Sequence, residues 1–303
     1  MLELNIKDEI SPLKAVVLGT AKSCGPAPAP EDAYDPKSLE HILAGTYPKE
    51  VDMIREMEAF AAVFKKYGVT VFRPEVLENC NQIFSRDIAF VIENKLVIAN
   101  ILPDREQEVE AILHVLDKID DKHILQPPEE VHVEGGDVMP WNDYIFVGNY
   151  TGADYATHIT ARTNRQAVEW IKQQFPNKKI KSFELRKSSN AKENALHLDC
   201  CFQPIGKGKA ILHKNGFLVE EEYQWLVDFF GLENIFEITA DEMYNMFSNV
   251  FSISPNVIVS EKNFTRLNIW LRGQGFTVEE IPYAEIAKQE GLLRCSTLPL
   301  IRE

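Results

Sequence analysis

Apolar residues in this chain fall into short runs, and between the runs they recur at helical spacing. Lys14–Gly19 (KAVVLG) reads as a strand. In the following VDMIREMEAFAAVFKKYG, Val51, Ile54, Met57, Phe60, Ala61 and Phe64 lie along one helix face. VTVFRP, Val69–Pro74, is then a second short strand ended by proline.

The same order returns four more times. FSRDIAFVIENKLVIANI predicts two strands around a turn at Glu93-Asn94. A helix from Asp104 to about Asp117 follows, with Asp104 and Gln107 spaced as a capping box, and then HILQPP. VHVEGGDVMPWNDYIFVGNY turns at Asn142-Asp143 and leads to a helix near Arg162–Phe175 and the strand KIKSFEL. HLDCCFQPIGKGKAILHK turns at Gly206-Lys207-Gly208, followed by the helix EEEYQWLVDFFG and the run NIFEIT. MFSNVFSISPNVIVSE turns at Pro255-Asn256, and FTRLNIWLRGQG and FTVEEIPY complete the fifth copy. Turns this short predict antiparallel pairs. Five strand–strand–helix–strand units at a period near 60 residues predict a radial or stacked architecture. No Pro/Gly/Ser-rich linker or composition shift divides the chain, so residues 1–303 read as one domain.

Polar words recur at one phase of this repeat, where the first strand of each unit begins. They are Phe84-Ser85-Arg86-Asp87, Glu134-Gly135-Gly136-Asp137, His197-Leu198-Asp199 and Phe247-Ser248-Asn249, with Cys295 at the same phase after them. A fivefold arrangement would gather Asp87, Glu134, His197, Asp199 and Cys295 at one end of the axis. Ionisable groups gathered among apolar strands need a reason, because burying unpaired charge is costly. Singly, each has a plain structural reading: Arg86-Asp87 as an internal ion pair, the glycine pair as a turn, His197 as a satisfied core histidine. His197 and Asp199, two apart, would share a strand face. The two glycines after Glu134 mark a bulge or a close backbone approach.

Composition narrows the chemistry. The formal net charge of −14 argues against nucleic acid, which requires basic surface, and is compatible with a cationic small molecule. No apolar run has the length of a membrane helix, and MLELNIKDEI lacks the core of a signal peptide, so a cytoplasmic protein that does not engage a membrane is expected. The five cysteines, Cys24, Cys80, Cys200, Cys201 and Cys295, form no CxxC pair. That fits neither a disulfide framework nor a zinc site, and Cys200 and Cys201 read as packing residues. A thiolate nucleophile needs a nearby acid or base, which a histidine supplies. Two facing aspartates match the several N–H donors of a planar guanidinium.

At these residues the chain resembles the guanidino-group-modifying enzyme superfamily of arginine deiminases, dimethylarginine dimethylaminohydrolases and amidinotransferases. FSRD, EGGD, ARTN, HLD and LRCSTLPLIR occur in the family's order across essentially the whole chain. The resemblance implies an α/β fold: a five-bladed, pseudo-fivefold α/β propeller of ββαβ modules. It implies Cys295 as the nucleophile, His197 as general acid/base and Glu134 as its partner. Asp87 and Asp199 would grip the guanidinium. Arg162, in ARTN, would hold a substrate carboxylate, with Arg105 a second candidate for that task. A covalent thiouronium on Cys295 is implied, with neither metal nor organic cofactor. The substrate class is arginine or a related guanidino compound, and hydrolysis is favoured over transfer of the amidino group to an amine. The same propeller also occurs in a non-catalytic binding protein of the ribosome, so fold alone does not establish catalysis. Oligomeric state is open, a homodimer included.

Overall fold

The computed structural model describes residues 1–152 and 160–303. Among these, the strands form five three-stranded sheets. β1 (Leu13–Leu18) pairs in parallel with β2 (Thr70–Phe72). The next four modules are β3 (Ala89–Ile92), β4 (Lys95–Ile98) and β5 (Ile124–Leu125); β6 (Val138–Trp141), β7 (Tyr144–Asn149) and β8 (Lys179–Glu184); β9 (Phe202–Ile205), β10 (Lys209–Leu212) and β11 (Ile235–Glu237); and β12 (Phe251–Ser254), β13 (Val257–Glu261) and β14 (Thr277–Ile281). In each of these the first pair is antiparallel and the third strand joins the second in parallel. The C-terminal β15 (Thr297–Arg302) supplies the antiparallel strand that the first module lacks, pairing Leu18 with Thr297 and Leu13 with Arg302. The molecule is a five-bladed α/β propeller whose ring is closed by its own two ends.

All four predicted strand turns are present, and three carry the positive φ that tight hairpins require. Glu93 and Asn142 lie at +54°, and Lys207 and Gly208 at +62° and +68°. At this end of the ring the N-terminal segment crosses the blades, with Asn5 bridged to Ile301, Ile6 to Glu93 and Asp8 to Trp141. The opposite ends of the first strands are therefore left to the polar words.

The helix over Glu50–Lys66 buries Met53, Met57, Phe60, Val63 and Phe64, and Phe60 and Phe64 stack on each other and meet Phe251 edge-on. Each such buried aromatic contributes on the order of 2 kcal/mol of burial. Val51, assigned to this stripe from its spacing, is 52% exposed because the helix has only just begun there. The predicted helix at 104–117 is different: Pro103–Ile112 is a 3₁₀ helix, and only Leu113–Leu116 is α-helical. The capping box is absent, since Leu102 occupies the cap and no side chain bonds there. The tighter helix aligns residues three apart, which places Glu108 against Arg105 and both inside the molecule. No helix among the described residues is long and apolar enough to cross a membrane.

Candidate active site

The polar words do not lie on strands. They occupy one-turn helical segments that end just before the first strand of each module: Ser85–Ile88, Gly135–Asp137 and Leu198–Cys200. Asn249 and Cys295 sit in the corresponding turns before β12 and β15. The strand-face argument for His197 and Asp199 is thus superseded. His197 caps its turn in extended conformation, while Asp199 lies within the turn. A tight turn re-aims neighbouring side chains more sharply than a strand does, which lets the two residues serve different partners.

His197 Nε2 lies 2.7 Å from Glu134 Oε2, and Nδ1 lies 3.8 Å from Asp87 Oδ1. Glu134 is fully buried and also accepts from Arg162 Nη1 at 3.3 Å. Arg162 Nη2 donates to the Tyr34 carbonyl. Arg105 forks onto Glu108 at 2.7 and 2.9 Å and reaches Asp87 Oδ2 at 3.0 Å. Both arginines expected to hold a substrate carboxylate therefore engage protein acceptors. Asp199 does grip a guanidinium, but it is the protein's own: Arg294 Nη1 donates to Asp199 Oδ2 at 2.8 Å.

Cys295 is held from two sides. Its thiol faces Asp199 Oδ2 at 3.5 Å, and Asn249 Nδ2 donates to Sγ at 3.1 Å. Asn249 Oδ1 accepts from the backbone N–H groups of Arg294 and Cys295, fixing the turn that carries the thiol. Asp137 performs the matching task under His197, accepting from Leu198 N at 2.8 Å. The repeat phase had marked Asn249 and Asp137 without assigning them a role. Arg294 stands in the motif LRCSTLPLIR without a role, and Glu9 carries no motif, because their pairing at 3.0 Å joins opposite ends of the sequence.

A partly enclosed cavity of about 190 Å³ opens over this cluster, lined by Asp87, Arg105, Arg162, His197 and Cys295. Glu134 and Asp199 stand behind that lining. Asp87 Oδ1 is buried and makes no hydrogen bond among the described residues. Donor atoms of Asp87, Glu134 and His197 lie within 4.8 Å of one another, close enough to hold a cation. Arg105 and Arg162 already balance those carboxylates, which weakens the case for a divalent metal there.

Charge state follows from these contacts. Burial would lower the pKa of His197, but the Asp87 charge and the Glu134 hydrogen bond outweigh it and raise the group to about 9. Burial opposes ionisation of Glu134, yet Arg162, His197 and Arg105 hold its carboxyl well below the ordinary range. Burial, then the Asp199 and Asp87 charges, push the Cys295 thiol well above its usual value. The resting site is an imidazolium–carboxylate pair beside a neutral thiol.

Two predictions follow from this arrangement. A group raised in the folded state stabilises most below its unfolded pKa, near 6.5 for histidine, and loses that contribution as pH climbs through the folded value. The melting temperature is therefore expected to decline between about pH 6.5 and 9, and His197→Gln should flatten that decline in a pH series of melts. The second concerns Gly136, where a Cβ would lie 2.6 Å from His197 Nδ1. Gly136→Ala is expected to displace the imidazole and cut kcat roughly 100-fold, which steady-state kinetics at unchanged substrate saturation would reveal.

The glycine pair thus serves a close approach, but within a one-turn helical segment and not in a strand. Gly135 likewise packs on the Arg86 carbonyl, where a Cβ would come within 2.0 Å. The family model described as N,N dimethylarginine dimethylhydrolase, eukaryotic, matches residues 47–302. The chain belongs to this family. It is thereby a member of the guanidino-group-modifying enzymes. This dimethylhydrolase-family chain is 29% identical over 222 residues to the uncharacterized protein YkgA of Bacillus subtilis, covering 73% of this chain and 70% of that protein. It is 24% identical over 267 residues to an arginine deiminase of Listeria monocytogenes, covering 74% of this chain but only 62% of the deiminase. Its fold matches the amidinotransferase SxtG of Microseira wollei with a TM-score of 0.77 at 17% identity, over 99% of this chain and 97% of that one.

Proposed function

We propose that this protein hydrolyses a C–N bond of arginine or a related guanidino compound through a covalent intermediate on Cys295. The observation that carries the reading is the common cavity. Cys295, the protonated His197 and Asp87, whose buried Oδ1 makes no hydrogen bond among the described residues, all line it. Asp87 receives the guanidinium by charge-assisted hydrogen bonds. The arriving cation offsets the carboxylates that keep Cys295 neutral, so the thiol releases its proton to solvent through the open side of the cavity only as substrate binds, while His197 keeps its own. Sγ then attacks the guanidino carbon, the C–N bond breaks, and His197 protonates the departing amine. Neutral His197 next takes a proton from water, which attacks the thiouronium and releases a ureido product and the free thiol. Glu134 keeps the imidazolium oriented, while Asp199, tied to Arg294, backs the thiol. Arg105 and Arg162 hold Asp87 and Glu134 in place.

Hydrolysis is favoured over amidino transfer because the matching family model and the deiminase relative both carry hydrolase names. The test is incubation of the purified protein with arginine and a panel of guanidino compounds, with and without glycine or another amine. A ureido product and free amine or ammonia without an acceptor support hydrolysis. Release of product only when an amine is present supports transfer instead. Mass spectrometry after brief exposure is expected to find the adduct on Cys295, and an adduct on any other cysteine overturns the assignment.

A further inference from the structure

The wall of the cavity carries a second pair of carboxylates, Asp35 and Glu290, in addition to the reaction centre. Both are more than nine-tenths buried. Asp35 caps the helix Pro36–Leu43 through Oδ1, which accepts from Ser38 N at 2.6 Å. Glu290 is held in the left-handed region at φ +55°, where a side chain is strained, and Asn194 Nδ2 donates to its Oε1 at 2.7 Å. Its Oε2 is buried and has no hydrogen-bond partner among the described residues. Burial and then the adjacent Asp35 charge push Glu290 well above the carboxylate range, so a cation placed between the two would relieve their repulsion. Lys37, the nearby cation, donates to the Tyr244 carbonyl and lines a separate groove. The tyrosines Tyr34 and Tyr47 complete this part of the cavity wall, and aromatic faces attract cations.

The cations of the same cavity are already committed. Arg105 is forked onto Glu108 and bonded to Asp87, and Arg162 is bonded to Glu134 and the Tyr34 carbonyl. A substrate carboxylate entering here would compete with buried protein carboxylates for those guanidiniums and would also meet Asp35 and Glu290. We propose that the substrate carries an ammonium group at the end remote from its guanidine and no carboxylate beside it, with Glu290 and Asp35 binding that ammonium. The inference rests on the cavity being a guanidino site, as argued above.

Four guanidines separate the terms: 4-guanidinobutylamine, arginine, 4-guanidinobutyrate and butylguanidine. Each is assayed for kcat and KM with the unaltered protein, Glu290→Gln and Asp35→Asn, alongside thermal melts that establish folding. Both substitutions keep an oxygen where Asn194 and Ser38 donate. The amine is expected to exceed arginine and 4-guanidinobutyrate in kcat/KM by roughly tenfold or more. Glu290→Gln should shrink its advantage over butylguanidine by a similar factor, mainly through KM. A preference for arginine or for 4-guanidinobutyrate overturns the proposal. So does an amine-to-butylguanidine ratio that stays constant in both folded variants. Absence of turnover and of a Cys295 adduct with all four compounds, by contrast, brings down the guanidino reading itself and this inference with it.

Discussion

Cys295→Ala is expected to abolish turnover, by at least about 10⁴-fold, while leaving the propeller folded. Two thiols line the cavity with His197 and Asp87 among the described residues, and Cys295 is the one turned onto Asp199 and Asn249. Cys24, the other of the two, lies on a loop where burial and then the Glu50 charge raise its pKa to about 11. Cys295 is 2% exposed, and truncation to alanine removes only the sulfur from a turn that backbone bonds and Asn249 Oδ1 continue to hold. The stability cost should therefore be small, and thermal melts distinguish lost chemistry from lost fold. Retention of full activity by the folded variant would sink the covalent mechanism. Cys295→Ser should be nearly as inactive, because an alcohol beside two carboxylates has far less tendency to ionise than a thiol.

The largest stability effect is expected at the preceding residue. Arg294 is fully buried and bridges Glu9 at 3.0 and 3.2 Å, Asp199 at 2.8 Å and the Val138 carbonyl at 2.9 Å. Arg294→Met removes the cation that Asp199 and Glu9 share and leaves Glu9 only the longer contact to Arg86 at 4.0 Å. Breaking a buried pair in this way costs about 3–5 kcal/mol. Lysine is not a remedy, since a single ammonium cannot span the fork that satisfies these acceptors together. The pH dependence identifies the cause. Burial opposes the charge on Glu9, but Arg294 and Arg86 overcome it and lower its pKa to about 2. A depressed carboxyl contributes stability above its unfolded value, near 4.5, and loses it as pH falls through the folded value. The deficit of Arg294→Met should therefore narrow when denaturation is measured at pH 3 rather than pH 7. A deficit that does not change with pH would place the loss in packing instead.

These two residues also show how little the local sequence reveals about its partners. Arg294 precedes Cys295, and its contact with Glu9 joins the turn before the last strand to the first few residues. No periodicity reports a pair nearly 300 positions apart. Glu108 was hidden for another reason. It lies in the stretch that the spacing predicts as a helix from Asp104 to about Asp117, and the 3₁₀ winding of Pro103–Ile112 sets it inward against Arg105. Glu290 carried no motif at all.

Much else was set by the chain alone. Strand turns at Glu93, Asn142, Lys207 and Asn256 follow from short polar breaks between apolar runs, a local property of backbone and side chains. Five copies of one unit call for a radial or stacked architecture, because each unit has an apolar face that only a neighbour can cover, and the pairing of β15 with β1 makes it a closed ring. The same repetition places the polar words at equivalent heights, so Asp87, Glu134, His197 and Cys295 converge without any sequence proximity. The tertiary structure decided what that convergence means. It wound the polar words into turns instead of strands, directed Asp199 to Arg294 and Cys295, and tied Arg105 and Arg162 to buried carboxylates. Repeat phase determines which residues meet, because it depends on spacing along the chain. Which of them pair with each other depends on competition among buried charges for a limited set of partners, and that competition exists only once the ring has closed.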